Sequence, residues 1–497
     1  MNKKRGKTKR RNRSKSNNSA LSQHKMIGKK LLPPMLHMLP QEKMKFSSWV
    51  NNRLPEVLWA ALAANALPRE DLLHMFLQIA EQLCKSAHAQ GDAKEFDLTH
   101  SALELFPGSI EHLSAILLEH PAGLSALRPL LLFEGIPARD RWVSALNVEP
   151  TETDGAALVA AVGGCLDHQS QQSTDIRWLT LMFKIGAGKA QFPADMIKNL
   201  LRYLDLTPEA EEMRYIRPSI RAAEMAFRVM SPNEEEIESP WCNSFWMECL
   251  ERSQCAPYEG VGDDSPVLLF DEEKLQKSWF EKQYELVERF SQVQATTGVD
   301  ARFDAVFGIA LFAGNLLLEV MHGRNRIGIS GRLLLRSLAE CRITLSYLIA
   351  RNDDVLWARF RQFGIGQAKL ALLKFDDAVV PPKFLSEKAL AIIANEDASE
   401  EFVAVDLGHW CDLDLRKMAE YADVKYEYDA YYGWSSAFVH GSWSAIRDAS
   451  LATCINPLHR LHRVPRGIQR PMEDVLEDAV GLFNRICADV DKVYAGA

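Results

Sequence analysis

Apolar residues recur every three or four positions along most of this chain, the spacing of one buried helical face. Between residues 46 and 89, Trp49, Leu54, Val57, Leu58 and Leu62 are followed by Leu72, Leu73, Phe76, Ile79 and Leu83 in that period. Pro68 ahead of Arg69, Glu70 and Asp71 opens the second run with a proline and first-turn acids, so a helix pair is predicted. Shorter helical periods follow at 110–120, 155–166, 175–185, 193–204 and 218–229, separated by Pro, Gly or polar residues. No fixed-period repeat runs through them, and short helices must bury their faces on one another, so an irregular helical array is expected.

After a turn-rich acidic stretch at 258–265 the periods lengthen, to 271–294, 300–322, 330–351, 354–375, 386–395, 414–422, 426–446 and 472–493. Helices of about 20 residues joined by short loops make bundles. The predicted class is therefore all-α: a tail and linker over 1–45, an irregular N-terminal helical array over 46–262, and a C-terminal helical bundle over 263–497. Glu401–Leu407 is the single strand candidate.

Composition narrows the class further. Hydrophobic residues make up 47% of the 497 positions and charged residues 25%, the balance of a globular protein with material for more than one core. The formal net charge of −8 conceals an asymmetry, because residues 1–32 carry twelve Lys and Arg and no acid. Such a run cannot bury enough apolar surface to offset its ordering entropy, so disorder is expected there. It reads either as an electrostatic arm for RNA or DNA or as a solubilising tail that folds back on an acidic body.

The basic start leads into Asn, Ser and Gln rather than an apolar signal segment. The apolar run 305–318 holds Asn315 and is flanked by Asp304 and Glu319, which fits a core helix better than a membrane span. A cytoplasmic location without membrane association is expected. Nine cysteines with no C-x-x-C pair point to reduced, mostly buried thiols.

One constellation carries candidate chemistry. The helix 330–351 is apolar nearly all round, yet Arg332, Arg336 and Glu340 share a stripe at i, i+4 and i+8, with Tyr347 seven residues further on. On the segment 426–446, Ser436, His440, Ser444 and Arg447 form a second stripe flanked by Tyr431, Tyr432, Trp434 and Trp443. If the stripes face each other, Arg336, Glu340 and His440 converge. His440 could then move a proton on a ribose 2′-hydroxyl while Arg336 stabilises charge at phosphorus and Glu340 holds the arginine or sets the histidine's protonation. Arg332, Tyr347 and Ser436 would line the substrate. The structural alternative is a buried Arg336–Glu340 ion pair that sets helix register, with His440 as a core histidine bonded to it.

Downstream, Cys454-Ile-Asn-Pro-Leu-His459-Arg460-Leu-His462-Arg463-Val-Pro465 continues to Arg466 and Arg470, and its prolines exclude a continuous helix. Histidines and arginines at this density suit contact with RNA or DNA phosphates, which assigns His459, Arg460, His462 and Arg463 to substrate binding. They suit equally a loop whose arginines pair with an acidic body. Cys454, His459 and His462 also resemble part of a zinc site, but the sequence shows no fourth ligand, so no metal is expected. Phosphate-loop, dinucleotide, G-x-S-x-G and H-E-x-x-H signatures are missing, and no cofactor is expected.

With these residues in view, the C-terminal half resembles a bacterial family known only as a domain of unknown function and found in many phage-exposed genomes. The resembling segments are Arg336-Ser-Leu-Ala-Glu340 with Tyr347, Trp357-Ala-Arg-Phe360, Tyr432-Gly-Trp-Ser-Ser-Ala-Phe-Val-His440-Gly, and Asn456 to Pro465. Trp49 to Trp59 and Arg214 to Glu224 are similar to segments of its longer members. A looser resemblance is to the HEPN helical ribonucleases and nucleotide-binding domains of toxin and antiviral systems, whose active helix carries R-x(4–6)-H. Between Tyr426 and Val439 there is no arginine, so Arg336 would have to come from another helix.

Two functions follow from these readings. The first is a HEPN-like protein that cleaves RNA without a metal, or binds it, in a toxin or antiphage setting, with a protein partner on the N-terminal array and a homodimer as its assembly. The second is a non-catalytic interaction protein whose polar cluster holds the bundle together.

Overall fold

The computed structural model describes residues 24–28, 30–32, 47–89, 96–230, 239–256, 272–377, 379–380, 382–399, 402–466 and 472–495. The basic run from Lys3 to Lys15, the turn-rich stretch 258–265 and the end of the arginine loop at Arg470 lie outside them. The described residues are overwhelmingly helical, as the periodicity predicts, with only two short strand pairs. Within the span expected to be disordered, Lys25–Ile27 and Lys30–Leu32 pair as an antiparallel hairpin, where Gly28 adopts the left-handed conformation (φ 60°) that a tight turn needs.

Two compact units divide the chain: Met1–Tyr258 with Thr453–His462, and Glu259–Ala452 with Arg463–Ala497. A contiguous C-terminal domain from 263 to 497 therefore does not describe the fold, because a segment of it belongs to the first unit. The reason is packing: Leu458 is buried in the first unit's core, and the Ile455 amide donates to the Ala256 carbonyl at 2.6 Å.

In the first unit, the helix Gln171–Gly186 packs on Arg69–Ala89, Met213–Met230 and Leu58–Ala66. Its start is set by the Ser170 hydroxyl accepting from the Ser173 amide, and Glu152–Leu166 begins on a Thr151/Asp154 capping box. The helix expected to open at Pro218 starts earlier, at Met213. Glu224 is sealed from solvent and held by Arg228 at 2.8 Å and Arg177 at 3.5 Å. His100 is fully buried between Trp142 and Trp241, and neither ring nitrogen finds a hydrogen-bond partner among the described residues. Burial without a partner pushes its pKa from 6.5 down to about 3.

In the second unit the helix Ile329–Arg351 is central, covered by Ala301–Met321, Leu476–Val493, Leu415–Tyr421 and Gly433–Val439. Ala301–Met321 is long and apolar enough to cross a membrane, and its inward side packs in this unit's core. Arg342 of the central helix is buried in an ion pair with Asp489, and Glu427 lies 3.9 Å from it. No strand forms at 402–407. The Val403 and Asp406 carbonyls accept instead from Lys369 and Gln367 of the helix Asp354–Asp376, and a Cβ on Gly366 would come within 2.9 Å of the Ala404 oxygen.

The segment 426–446 is not one helix. A turn Lys425–Glu427 and a π-helical turn Tyr428–Tyr432 lead into Gly433–Val439, and the chain then breaks before Trp443–Ser450. Gly441 takes φ 56°, and the Ser442 amide reaches back to the Ala437 carbonyl at 2.9 Å. This six-to-one bond is how a left-handed glycine ends a helix, and it makes the Val439-His440-Gly441 motif a terminator.

Candidate functional site

Arg336 is the hub of the polar cluster on the central helix. Its Nη1 donates to Glu340 Oε2 at 2.8 Å, one turn away, and its Nη2 donates to the Tyr432 hydroxyl at 2.9 Å. The guanidinium carbon also lies 4.6 Å from the Tyr432 ring centre, so one cation is shared between a carboxylate and an aromatic face. Half-burial raises the pKa of Glu340, and the charges of Arg336 and His409 oppose that rise. His409, which the sequence reading did not use, is therefore an electrostatic neighbour of this site.

The segment carrying Tyr432 runs antiparallel to the central helix. Tyr421 packs 5.5 Å from the Tyr347 ring and under Arg351, Glu427 faces Arg342, and Tyr432 meets Arg336. Eight residues beyond Tyr432, His440 is displaced along this register by about 12 Å, at 1.5 Å per residue. What meets the first stripe is Tyr432 rather than the second stripe, and the histidine is about two turns out of step with Arg336 and Glu340. Its ring is exposed and takes no hydrogen bond among the described residues. It is therefore not the core histidine of the structural alternative. Ser436 is half-buried, and its carbonyl accepts from the His440 amide as part of the helix end. Ser444 and Arg447 lie beyond the break, on a separate helix.

Arg332 and Tyr347 are both buried away from any shared substrate surface. Arg332 donates to the Glu473 carbonyl at 2.6 Å and to the Gly328 carbonyl at 3.3 Å, which fastens the start of the central helix to the residues before the last helix. Tyr347 packs on Trp410 and Tyr421, and desolvation, with its hydrogen bond to the Cys411 side chain, raises its pKa.

The loop residues separate by environment. His459 is buried and His462 half-buried, whereas Arg460 and Arg463 are exposed, Arg460 at φ 53°. The His459 Nε2 lies 2.9 Å from Ser253 Oγ, which itself donates to the Cys249 carbonyl at 2.7 Å. His459 Nδ1 lies 3.4 Å from Cys454 Sγ, and His462 Nε2 lies 3.4 Å from Cys255 Sγ. Donor atoms of Cys255, Cys454, His459 and His462 all fall within 4.8 Å of one another. Cys255 is the residue that sequence reasoning missed: it stands 207 positions before His462, and no local spacing announces it.

Residues 315–453 match DUF5677, a family of unknown function. The DUF5677 segment contains Arg336, Glu340, Tyr432 and His440 and ends at Thr453, just before Cys454. Asn456 to Pro465 and the two N-terminal segments lie outside it. No curated protein and no solved structure matches the chain.

Proposed function

We propose that this chain is a self-associating helical interaction protein that seats a second copy of itself on the face built by Gly433–Val439 and Trp443–Ser450. One observation carries the reading: Trp434, Val439, Trp443 and Ile446 are 57%, 45%, 64% and 43% exposed on two adjoining short helices. From Ala430 to Ile446 there is no Asp, Glu, Lys or Arg, in a chain where such residues make up 25%. Large apolar groups gathered in this way mark an interaction surface, and tryptophans tend to supply most of the binding energy. A face without formal charge meets its own copy without like-charge repulsion, whereas a polyanion would need cations that it does not offer. The Arg336–Tyr432 contact would then serve to hold this face against the central helix.

Light scattering on the purified chain tests this directly. Wild type should run as a dimer at micromolar concentration, and Trp434→Asp with Trp443→Asp should return the 56.0 kDa monomer with its helical content intact. A monomeric wild type, or a dimer that survives both charges, would sink the proposal.

A second reading, RNA cleavage with proton transfer by His440, is favoured by the exposure of this residue at the end of Gly433–Val439. Within one chain Arg336 and Glu340 lie about two helical turns away along the register, so the histidine would act without them. His440→Ala should then abolish EDTA-resistant RNA cleavage, since loss of a general acid–base costs roughly 10²- to 10⁴-fold. A folded wild-type protein that leaves a broad RNA panel intact removes this reading and leaves the first in place.

A further inference from the structure

We infer that Cys255, Cys454, His459 and His462 form a structural zinc site within the first unit. Tetrahedral zinc with thiolates at about 2.3 Å and imidazoles at about 2.0 Å sets its donors roughly 3.3–3.8 Å apart. The Cys454–His459 and Cys255–His462 sulfur–nitrogen separations are both 3.4 Å, and no pair among the four exceeds 4.8 Å. Two thiolates and two neutral imidazoles balance the dication, and four protein donors leave no open position for a substrate, which is the pattern of a structural site.

The surroundings are arranged for ligation. The Ser253 hydroxyl gives its proton to the Cys249 carbonyl and receives Asn456 Nδ2 at 3.1 Å, so His459 Nε2 must be the donor to it. That leaves the lone pair of His459 Nδ1 directed at Cys454 Sγ, the outer-shell arrangement that fixes a ligand's tautomer. The Ala256 amide donates to Cys454 Sγ at 3.4 Å, a contact that favours a thiolate. Cys454 is sealed from solvent and His459 nearly so, while Cys255 is exposed and gives the ion an entry path.

The site also accounts for the return of Thr453–His462 to the first unit. Asn456 Nδ2 donates to the Gln254 carbonyl at 2.8 Å and the Cys454 amide to the His462 carbonyl at 2.9 Å, so the segment is folded on itself and against 253–256. Ligands roughly 200 residues apart close a long loop, where a cross-link removes much conformational entropy from the unfolded chain.

The test uses the full chain under reducing conditions. Elemental analysis should find one zinc per chain. After removal by chelator, cobalt(II) should be taken up to one equivalent, with the absorption of tetrahedral cobalt and of thiolate-to-cobalt charge transfer. Cys255→Ser, at an exposed position that leaves no cavity, should abolish stoichiometric cobalt uptake while circular dichroism stays helical. Ser253→Ala should keep the stoichiometry but weaken affinity about 10- to 100-fold. The inference is overturned if folded, reduced wild type binds neither zinc nor one equivalent of cobalt, or if Cys255→Ser binds cobalt as wild type does.

Discussion

Arg336 donates to the Tyr432 hydroxyl across 2.9 Å while its guanidinium lies 4.6 Å from the centre of the same ring. The pair joins the central helix to the π-helical turn ahead of the exposed aromatic face, and makes Arg336 a clamp. In a double-mutant cycle of Arg336→Ala with Tyr432→Phe, followed by urea denaturation, the coupling should be about 1 kcal/mol or somewhat more, since one partner is charged. Additive single effects would show that the contact contributes nothing.

The buried ion pair of Arg342 and Asp489 should be far more costly to break. Asp489 also accepts from Ser346 at 3.1 Å and from Lys492 at 2.8 Å, so Asp489→Ala strands a desolvated guanidinium. The expected loss is about 3–5 kcal/mol. Replacing both partners, Arg342→Met with Asp489→Leu, should recover most of it, because Glu427 keeps Arg485 at 3.3 Å. Equal melting of single and double variants would contradict this account.

His100 gives the first unit an acid-sensitive contribution. The folded ring stays neutral down to about pH 3, whereas in the unfolded chain it titrates near its ordinary value of 6.5. As pH falls below 6.5 the unfolded chain binds the proton first. Stability from this group is therefore complete above 6.5 and is lost on the way to 3, at up to about 1.4 kcal/mol per pH unit. His100→Phe, which keeps a ring between Trp142 and Trp241, should flatten that slope in denaturation measured from pH 7 to 4. An unchanged slope would place the acid sensitivity elsewhere.

Gly441 ends its helix in a conformation that costs other residues energy. At φ 56° nothing lies near the place a Cβ would occupy, so Gly441→Ala tests backbone strain alone. A loss of about 1–2 kcal/mol is expected, with Gly441→Asn between alanine and wild type. Equal stability of all three would mean that the turn relaxes.

What the sequence determined by itself is local. Helix spans such as Ile329–Arg351 and Ala301–Met321 were legible because a 3.6-residue period is written in consecutive positions. The Arg336–Glu340 pair was legible for the same reason, as an i, i+4 spacing fixes which side chains meet. Even the break after His440 had its signal in Gly441, although periodicity ran across it. Tertiary structure alone decided the rest. The register of Tyr432 on Arg336, which sets His440 two turns away, depends on how side chains pack between helices, and no spacing within either helix encodes it. The same holds for Cys255, which lies beside Cys454, His459 and His462 where Leu458 packs into the first unit's core and the Ile455 amide bonds to the Ala256 carbonyl. A contact between residues some 200 positions apart is selected by packing and desolvation of the whole unit, not by any pattern that a short window of sequence can carry.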